Sequence, residues 1–283
     1  MNDNFGKYEI PPTLQGLIDL ENMLGGKQVS IVGDFFLGLN FYLVLEKLRY
    51  FNTPIDVITF GNIGVDGIHY GFLTDFGTVK DLEVAPIVCV SPMDSDRPTR
   101  IVARNLREFL AVNLNDDGLF YNYFKNEEVY LATKRKWMMK RENSPYQLSE
   151  EEKAIEQKAR KYLREVLQIV SVDHPYQCVK NAEMNRQRDI CIQTQDQLGV
   201  ITPLLKGEKH IPFPIHKDIT LDLDLLKEYL FSAPIPSRLA VFRDIQLHYV
   251  LQDEHELRKI VIDAMINMEL FDEATRLSKD NIL

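Results

Sequence analysis

Apolar residues in the first fifty positions predict two helices with a short strand between them. The apolar positions of residues 14–24 lie at helical spacing after Pro11-Pro12, and proline is common in the first turn of a helix. The pattern stops at Gly25-Gly26, and the β-branched residues of segment 29–32 then predict a strand. Segment 42–49 returns to helical spacing and predicts the second helix.

Three runs rich in β-branched and aromatic residues follow. They predict strands at residues 55–60, 68–74 and 86–90. Helical spacing then returns over residues 100–114 and predicts a closing helix. This order predicts an α+β fold, in which an antiparallel meander sheet has flanking helices.

The remainder of the chain predicts a mainly α-helical C-terminal region. Ser149 and Glu152 have the spacing of a capping box, and a long amphipathic helix follows them. Residues 174–218 show no clear helical or strand periodicity, and the spacing of apolar residues predicts short helices from residue 221 onward. We therefore predict two domains, an α+β domain at 1–130 and a mainly helical region of unassigned role at 131–283.

Composition narrows the class of protein. Apolar residues make up 45% of the 283 positions, and the formal net charge is -9. An acidic chain disfavours nucleic acid as a partner. An odd count of three cysteines does not indicate a disulfide framework, so we interpret them as reduced thiols. No apolar run reaches the roughly 20 residues that span a bilayer. With no secretory signal at its N-terminus, we expect a cytoplasmic protein without a membrane or nucleic-acid partner.

The stretch FGNIGVDGIHYGFLTDFG, residues 60–77, holds five glycines in 18 positions. It lacks the lysine and Ser/Thr of a phosphate-binding loop, and its spacing differs from that of a dinucleotide-binding turn. Asp66-Gly67 is instead a favoured turn pair between two strands, because both residue types tolerate positive φ. We interpret the stretch as a β-hairpin, with Gly71 marking a bulge or a close neighbour, and we expect no cofactor there.

Four segments in order carry a resemblance to a known family: PPTLQGLIDLENMLGG, DVITFGNIGVDGIHYGFLTD, APIVCVSPMD and RIVARNLREFL. Together they resemble the SUKH superfamily over roughly residues 8 to 125. That group includes fungal regulators of cell-wall synthesis and many bacterial immunity proteins. Gly25-Gly26 and Ile10-Pro11-Pro12 stand where family members commonly carry Asn-Gly and a Leu-Pro helix start. For a bacterial member the resemblance implies neutralisation of a toxin, such as a nuclease with a basic active site.

Residues at the predicted loop ends supply the candidate site, and each has a plainer interpretation beside it. Without a nucleophile motif nearby, catalysis by His69 is disfavoured, and Asp94 and Asp96 lack the layout of a calcium-binding loop. We predict instead that these side chains contact a protein partner. The candidates are Asp66, His69, Asp75, Asp94 and Asp96.

Two other features favour structural roles. His174, Cys178 and Cys191 lack the paired spacing of tight zinc sites, so ordinary thiols and no bound metal are expected. The run KRKWMMKR, residues 134–141, sets five cations around Trp137 and predicts an exposed helix face on which Trp137 and Met138 pack inward.

The leading hypothesis is a non-enzymatic protein-binding module that contacts a partner, such as a toxin, through acidic loops. Two alternatives stay open. In the first, a regulatory or scaffolding protein binds through its helical C-terminal half, where exposed apolar residues would also serve self-association. In the second, the chain is an enzyme with an unrecognised site.

Overall fold

The computed structural model describes residues 4–24, 39–46, 48–145, 147–217 and 220–278. These residues form an α+β fold with a five-stranded antiparallel sheet and a helical C-terminal region, as the sequence predicts. The predicted strand at 29–32 and the predicted helix stop at Gly25-Gly26 lie outside the described residues.

The sheet is a meander in which each strand pairs with the next one in the chain. Every pairing is antiparallel, so the predicted topology is confirmed. The strands are β1 (Tyr42–Leu43), β2 (Val57–Asn62), β3 (His69–Leu73), β4 (Ile87–Val90) and β5 (Thr99–Ala103).

Two predicted helices of the first half are wrong in whole or in part. Over residues 42–49 the described chain is not helical, because Tyr42–Leu43 pairs with the edge of β2. The predicted closing helix begins late, because Thr99–Ala103 extends the sheet beside β4 and buries Ile101 and Val102 in different clusters. The side chain of Asn105 then accepts a hydrogen bond from the backbone N–H of Glu108 and starts the helix.

Helices make up most of the remaining described structure. The capping box at Ser149 and Glu152 is confirmed. The helices are α1 (Pro12–Met23), α2 (Leu106–Asn113), α3 (Gly118–Tyr121), α4 (Glu127–Glu142), α5 (Glu150–Glu165), α6 (Pro175–Asp189), α7 (Leu223–Ser232), α8 (Ile235–His248), α9 (His255–Asn267) and α10 (Phe271–Ser278), with a 3-10 turn at Leu82–Val84.

Both faces of the sheet are buried, so the molecule is layered. Phe60 and Phe72 face a core that also includes residues of α1 and α2. Val57 and Leu73 face the opposite side, where Ala182 of α6 packs. A third core gathers helices α7 to α10 around residues contributed from the sheet region. The helical region thus packs directly against the sheet, while the division at residue 130 stays a prediction.

Candidate functional site

The meander places its connections at two opposite ends of the sheet. The β2–β3 turn at 63–68 and the β4–β5 turn at 91–98 lie at one end, because antiparallel strands reverse direction at each turn. We call these two turns the tip end. The opposite end of the sheet holds Asp56, which precedes β2, and the β3–β4 connection at 74–86. We call this end the base end.

The β2–β3 turn is the hairpin that the sequence predicts. Asp66 and Gly67 have φ values of 53° and 67°, in the left-handed region that an Asp-Gly turn requires. The pairing of β2 shifts register between Thr59 and Gly61, opposite Gly71. A side chain at Gly71 would overlap Val57, so the prediction of a bulge or a close neighbour is confirmed.

The β4–β5 turn exposes Asp94 and Asp96. Oδ1 of Asp94 accepts hydrogen bonds from the backbone N–H groups of Asp96 (3.0 Å) and Arg97 (3.1 Å), which fixes the turn. The Arg97 guanidinium lies over the ring of Tyr123, 4.2 Å from its centroid. Together with exposed Asp66, the tip end therefore presents three carboxylates, none of which is ion-paired with a described residue.

His69 belongs to the interior and not to the surface. Its ring is fully buried and stacks on Tyr50, with centroids 5.6 Å apart. Nδ1 lies 2.7 Å from the carbonyl of Gly67 and Nε2 lies 3.0 Å from the hydroxyl of Thr53. Burial lowers the pKa of His69 to about 4, so the imidazole is neutral at pH 7: Nδ1–H donates to the carbonyl and Nε2 accepts from the hydroxyl. His69 is thus a support for the turn that carries Asp66.

Asp75 is also buried, at the base end. It accepts a bidentate pair of hydrogen bonds from Arg186 of α6, at 2.8 and 2.7 Å. Both side chains are at most 5% exposed. In this structure neither His69 nor Asp75 offers its polar atoms to a protein partner.

Arg243 of α8 gathers further carboxylates at the base end. Its Nη2 lies 2.6 Å from Oδ2 of Asp56, and its Nη1 lies 3.3 Å from Oδ2 of Asp196. Asp75 approaches the same guanidinium at 3.6 Å. Burial raises the pKa of Asp56 to about 6, even though Arg243 acts in the opposite direction.

Two more arginines join this region to the sheet. Arg49 donates to the carbonyls of Val57, Thr53 and Pro54 at 2.8 to 2.9 Å. Arg276 of α10 donates to the carbonyl of Ile55 at 2.9 Å and pairs with Glu273 at 3.7 Å.

We call these buried side chains the buried charge network, which holds four arginines and four carboxylic acids. Its members come from the sheet region and from the helical region. They are Arg49, Arg186, Arg243, Arg276, Asp56, Asp75, Asp196 and Glu273.

Sequence reasoning missed most of this network, although one signal was available. Arg243 stands in LAVFRDIQL, on a helix whose surrounding residues are apolar. A charged residue on an apolar stripe is buried only when it is paired, so it predicts carboxylates nearby. The pattern does not say which carboxylates, because Asp56, Asp75 and Asp196 lie far from it in the chain.

The remaining sequence candidates lie elsewhere. Trp137 contacts Phe124, with ring centroids 6.0 Å apart, but it is still 38% exposed, so the prediction that it packs inward holds only in part. Met138 is 54% exposed, so the same prediction is wrong for this residue. Among the described residues no three potential ligands gather to hold a metal ion. Within the same part of the chain, no helix combines the length and the apolar character needed to cross a bilayer.

Comparison with known proteins adds no relative that would name the site. Neither a protein-family model nor the sequence of a curated protein matches this chain. The resemblance to the SUKH superfamily over residues 8 to 125 therefore stays a prediction.

Proposed function

We propose that this is a non-enzymatic binding protein whose tip end contacts a basic surface of another protein. The observation that carries the proposal is the position of Asp66, Asp94 and Asp96, three exposed acids on two turns at the same end of one sheet. Because two strand spacings separate the turns, their centres are about 10 Å apart. That separation suits a single contact surface.

The support beneath these carboxylates favours recognition of a partner. The Asp94 turn is held by its own side-chain hydrogen bonds, and His69 supports the other turn from below through the Gly67 carbonyl. Acids on pre-organised turns lose little conformational freedom on binding. With the chain at a net charge of -9, they would also speed encounter with a cationic partner.

The partner class that we propose is a protein with an exposed cationic cleft, such as a toxin nuclease. This follows from the charge of the tip end and from the resemblance to the SUKH superfamily, whose bacterial members include immunity proteins. Within this proposal Asp66, Asp94 and Asp96 make the contact. His69 and Asp75 act only by holding the sheet and its turns in shape.

The test compares two variants of equal net charge. In the tip variant, Asp66, Asp94 and Asp96 are each replaced by Asn, which preserves the turn geometry at Asp94. In the control, three exposed acids elsewhere are neutralised: Glu228→Gln, Asp253→Asn and Asp263→Asn.

Each protein is used as bait in a lysate of its native host, and captured proteins are quantified by mass spectrometry. We expect basic proteins retained by the wild type and the control to be lost from the tip variant, and their capture to weaken with salt. Equal capture by all three proteins would refute the proposed surface.

A second candidate function rests on a different region. Phe231, at the end of α7, is 87% exposed, and Ile235, at the start of α8, is 50% exposed. Exposed apolar side chains this close in sequence favour a regulatory or scaffolding protein that binds through its helical region. If this is the function, replacing Phe231 and Ile235 by Ser abolishes capture while the tip variant retains it.

A further inference from the structure

A small cavity lies between the segment that precedes β2 and helix α8. The centre of a water molecule can move within about 10 Å³ of it. That space matches one water molecule and is too small for a larger ligand. The cavity is lined by Asn52, Pro54, Ile55, Asp196, Arg243, Gln246 and Leu247.

Three of the lining residues carry a buried polar atom that has no hydrogen-bond partner among the described residues. These atoms are Oδ1 of Asn52, Oε1 of Gln246 and Nε of Arg243. Leaving such a group unpaired costs about 1–3 kcal/mol each, so native structures rarely tolerate three together.

The orientation of the two amides follows from their other hydrogen bonds. Nδ2 of Asn52 donates to the carbonyl of Pro92 at 3.2 Å, and Nε2 of Gln246 donates to the carbonyl of Phe51. Turning either amide over would set its oxygen against a carbonyl oxygen. Both free amide atoms are therefore acceptors.

Arg243 supplies the complementary donor. Its Nη1 and Nη2 already donate to Asp196 and Asp56, whereas Nε is the guanidinium nitrogen that has no hydrogen-bond partner among the described residues. Besides the carboxylate of Asp196, which Arg243 already engages, the lining residues thus carry two unpartnered acceptors and one unpartnered donor. A metal ion would suit the two oxygens but would be repelled by the adjacent guanidinium.

We propose that the cavity is a binding site for one ordered water molecule. The water donates its two protons to Oδ1 of Asn52 and Oε1 of Gln246 and accepts the Nε–H of Arg243. Three hydrogen bonds is the usual number for a buried structural water. The water joins α8 to the sheet region, and through Asn52 it reaches Pro92 in the β4–β5 turn.

A crystal structure of the wild-type protein at about 1.5 Å resolution tests the site directly. We expect one well-ordered water peak within about 3.2 Å of all three atoms. Density without a water peak, or a peak that touches none of these atoms, would overturn the proposal. So would amides that refine in the opposite orientation.

Magnetic relaxation dispersion, which counts long-lived internal waters in solution, provides a second test. Gln246→Leu removes one acceptor and places a branched apolar group against the cavity. Gln157→Leu makes the same change at an exposed position of α5. We expect the count to fall by one in Gln246→Leu and to stay at the wild-type value in Gln157→Leu. An unchanged count in a folded Gln246→Leu would contradict the site, and if that variant does not fold, the wild-type crystal structure decides.

Discussion

The two ends of the sheet use the same residue type for opposite purposes. Asp66 at the tip end and Asp75 at the base end both lie next to β3, and both have left-handed φ values, 53° and 48°. Asp66 is exposed to solvent, whereas Asp75 is buried against Arg186. The difference teaches that a turn aspartate in this chain can be assigned a role only after its surroundings are known.

The base end contributes to the stability of the fold, whereas we propose that the tip end contributes to recognition of a partner. Carboxylates of the base end are buried with arginines from α6 and α8, so losing one partner leaves a buried charge without its counterpart. The carboxylates of the tip end are exposed and have no ion partner among the described residues. Replacing one of them should therefore lower the free energy of unfolding only slightly.

The largest expected effect is at the bridging cation of the base end. Arg243→Met leaves Asp56 and Asp196 without their shared partner, so we expect the free energy of unfolding to fall by about 3–5 kcal/mol. Chemical denaturation measures it. The matched control is Arg164→Met on the exposed face of α5, with a change below about 0.5 kcal/mol. A wild-type midpoint for Arg243→Met would show that the buried charge network contributes no stability.

Replacing His69 changes how stability depends on pH. The pKa of His69 is about 4 in the folded protein and 6.5 ordinarily, so its contribution is present above pH 6.5 and is lost as pH falls through 4. The stability difference between wild type and His69→Gln should therefore rise with pH between 4 and 6.5, with a slope of at most about 1.4 kcal/mol per pH unit. A difference that does not change with pH would show that the imidazole titrates normally.

Asp56 should make stability depend on pH in the opposite direction to His69, over a slightly narrower range of pH. Its pKa is about 6 in the folded protein against 3.8 ordinarily, so its contribution is present below pH 3.8 and is lost as pH rises through 6. The stability difference between wild type and Asp56→Asn should fall as pH rises from 4 to 6. In the wild type this pH dependence offsets that of His69. The variants His69→Gln and Asp56→Asn are therefore each compared with the wild type as single substitutions. A rising difference would mean that Arg243 outweighs desolvation.

The smallest expected effect is at the tip end. The variant with Asn at positions 66, 94 and 96 should unfold within about 0.5 kcal/mol of the wild type, because these side chains are exposed and Asn keeps the Asp94 turn. Thermal and chemical unfolding both measure this. A loss of 2 kcal/mol or more would mean that the tip acids are structural, and any loss of partner capture would then need another explanation.

The sequence correctly predicted those turns, strands and helix caps whose structure is determined by residues close together in the chain. The Asp66-Gly67 turn, the strands beside it and the capping box at Ser149 and Glu152 all follow from residues close together in the chain. Helix α6 has few apolar residues and was missed, because it is fixed by packing on β5 and by the Arg186–Asp75 pair. The buried charge network was missed for the same reason, since its members come from distant segments.

The most direct measurement is the free energy of unfolding of Asp75→Asn beside that of Asp66→Asn. The two substitutions are chemically identical and lie in the same backbone conformation, which Asn tolerates. We predict a loss of about 3 kcal/mol for Asp75→Asn and less than about 0.5 kcal/mol for Asp66→Asn. Equal losses, or a larger loss for Asp66→Asn, would contradict the division of the sheet into a stabilising base end and a free tip end.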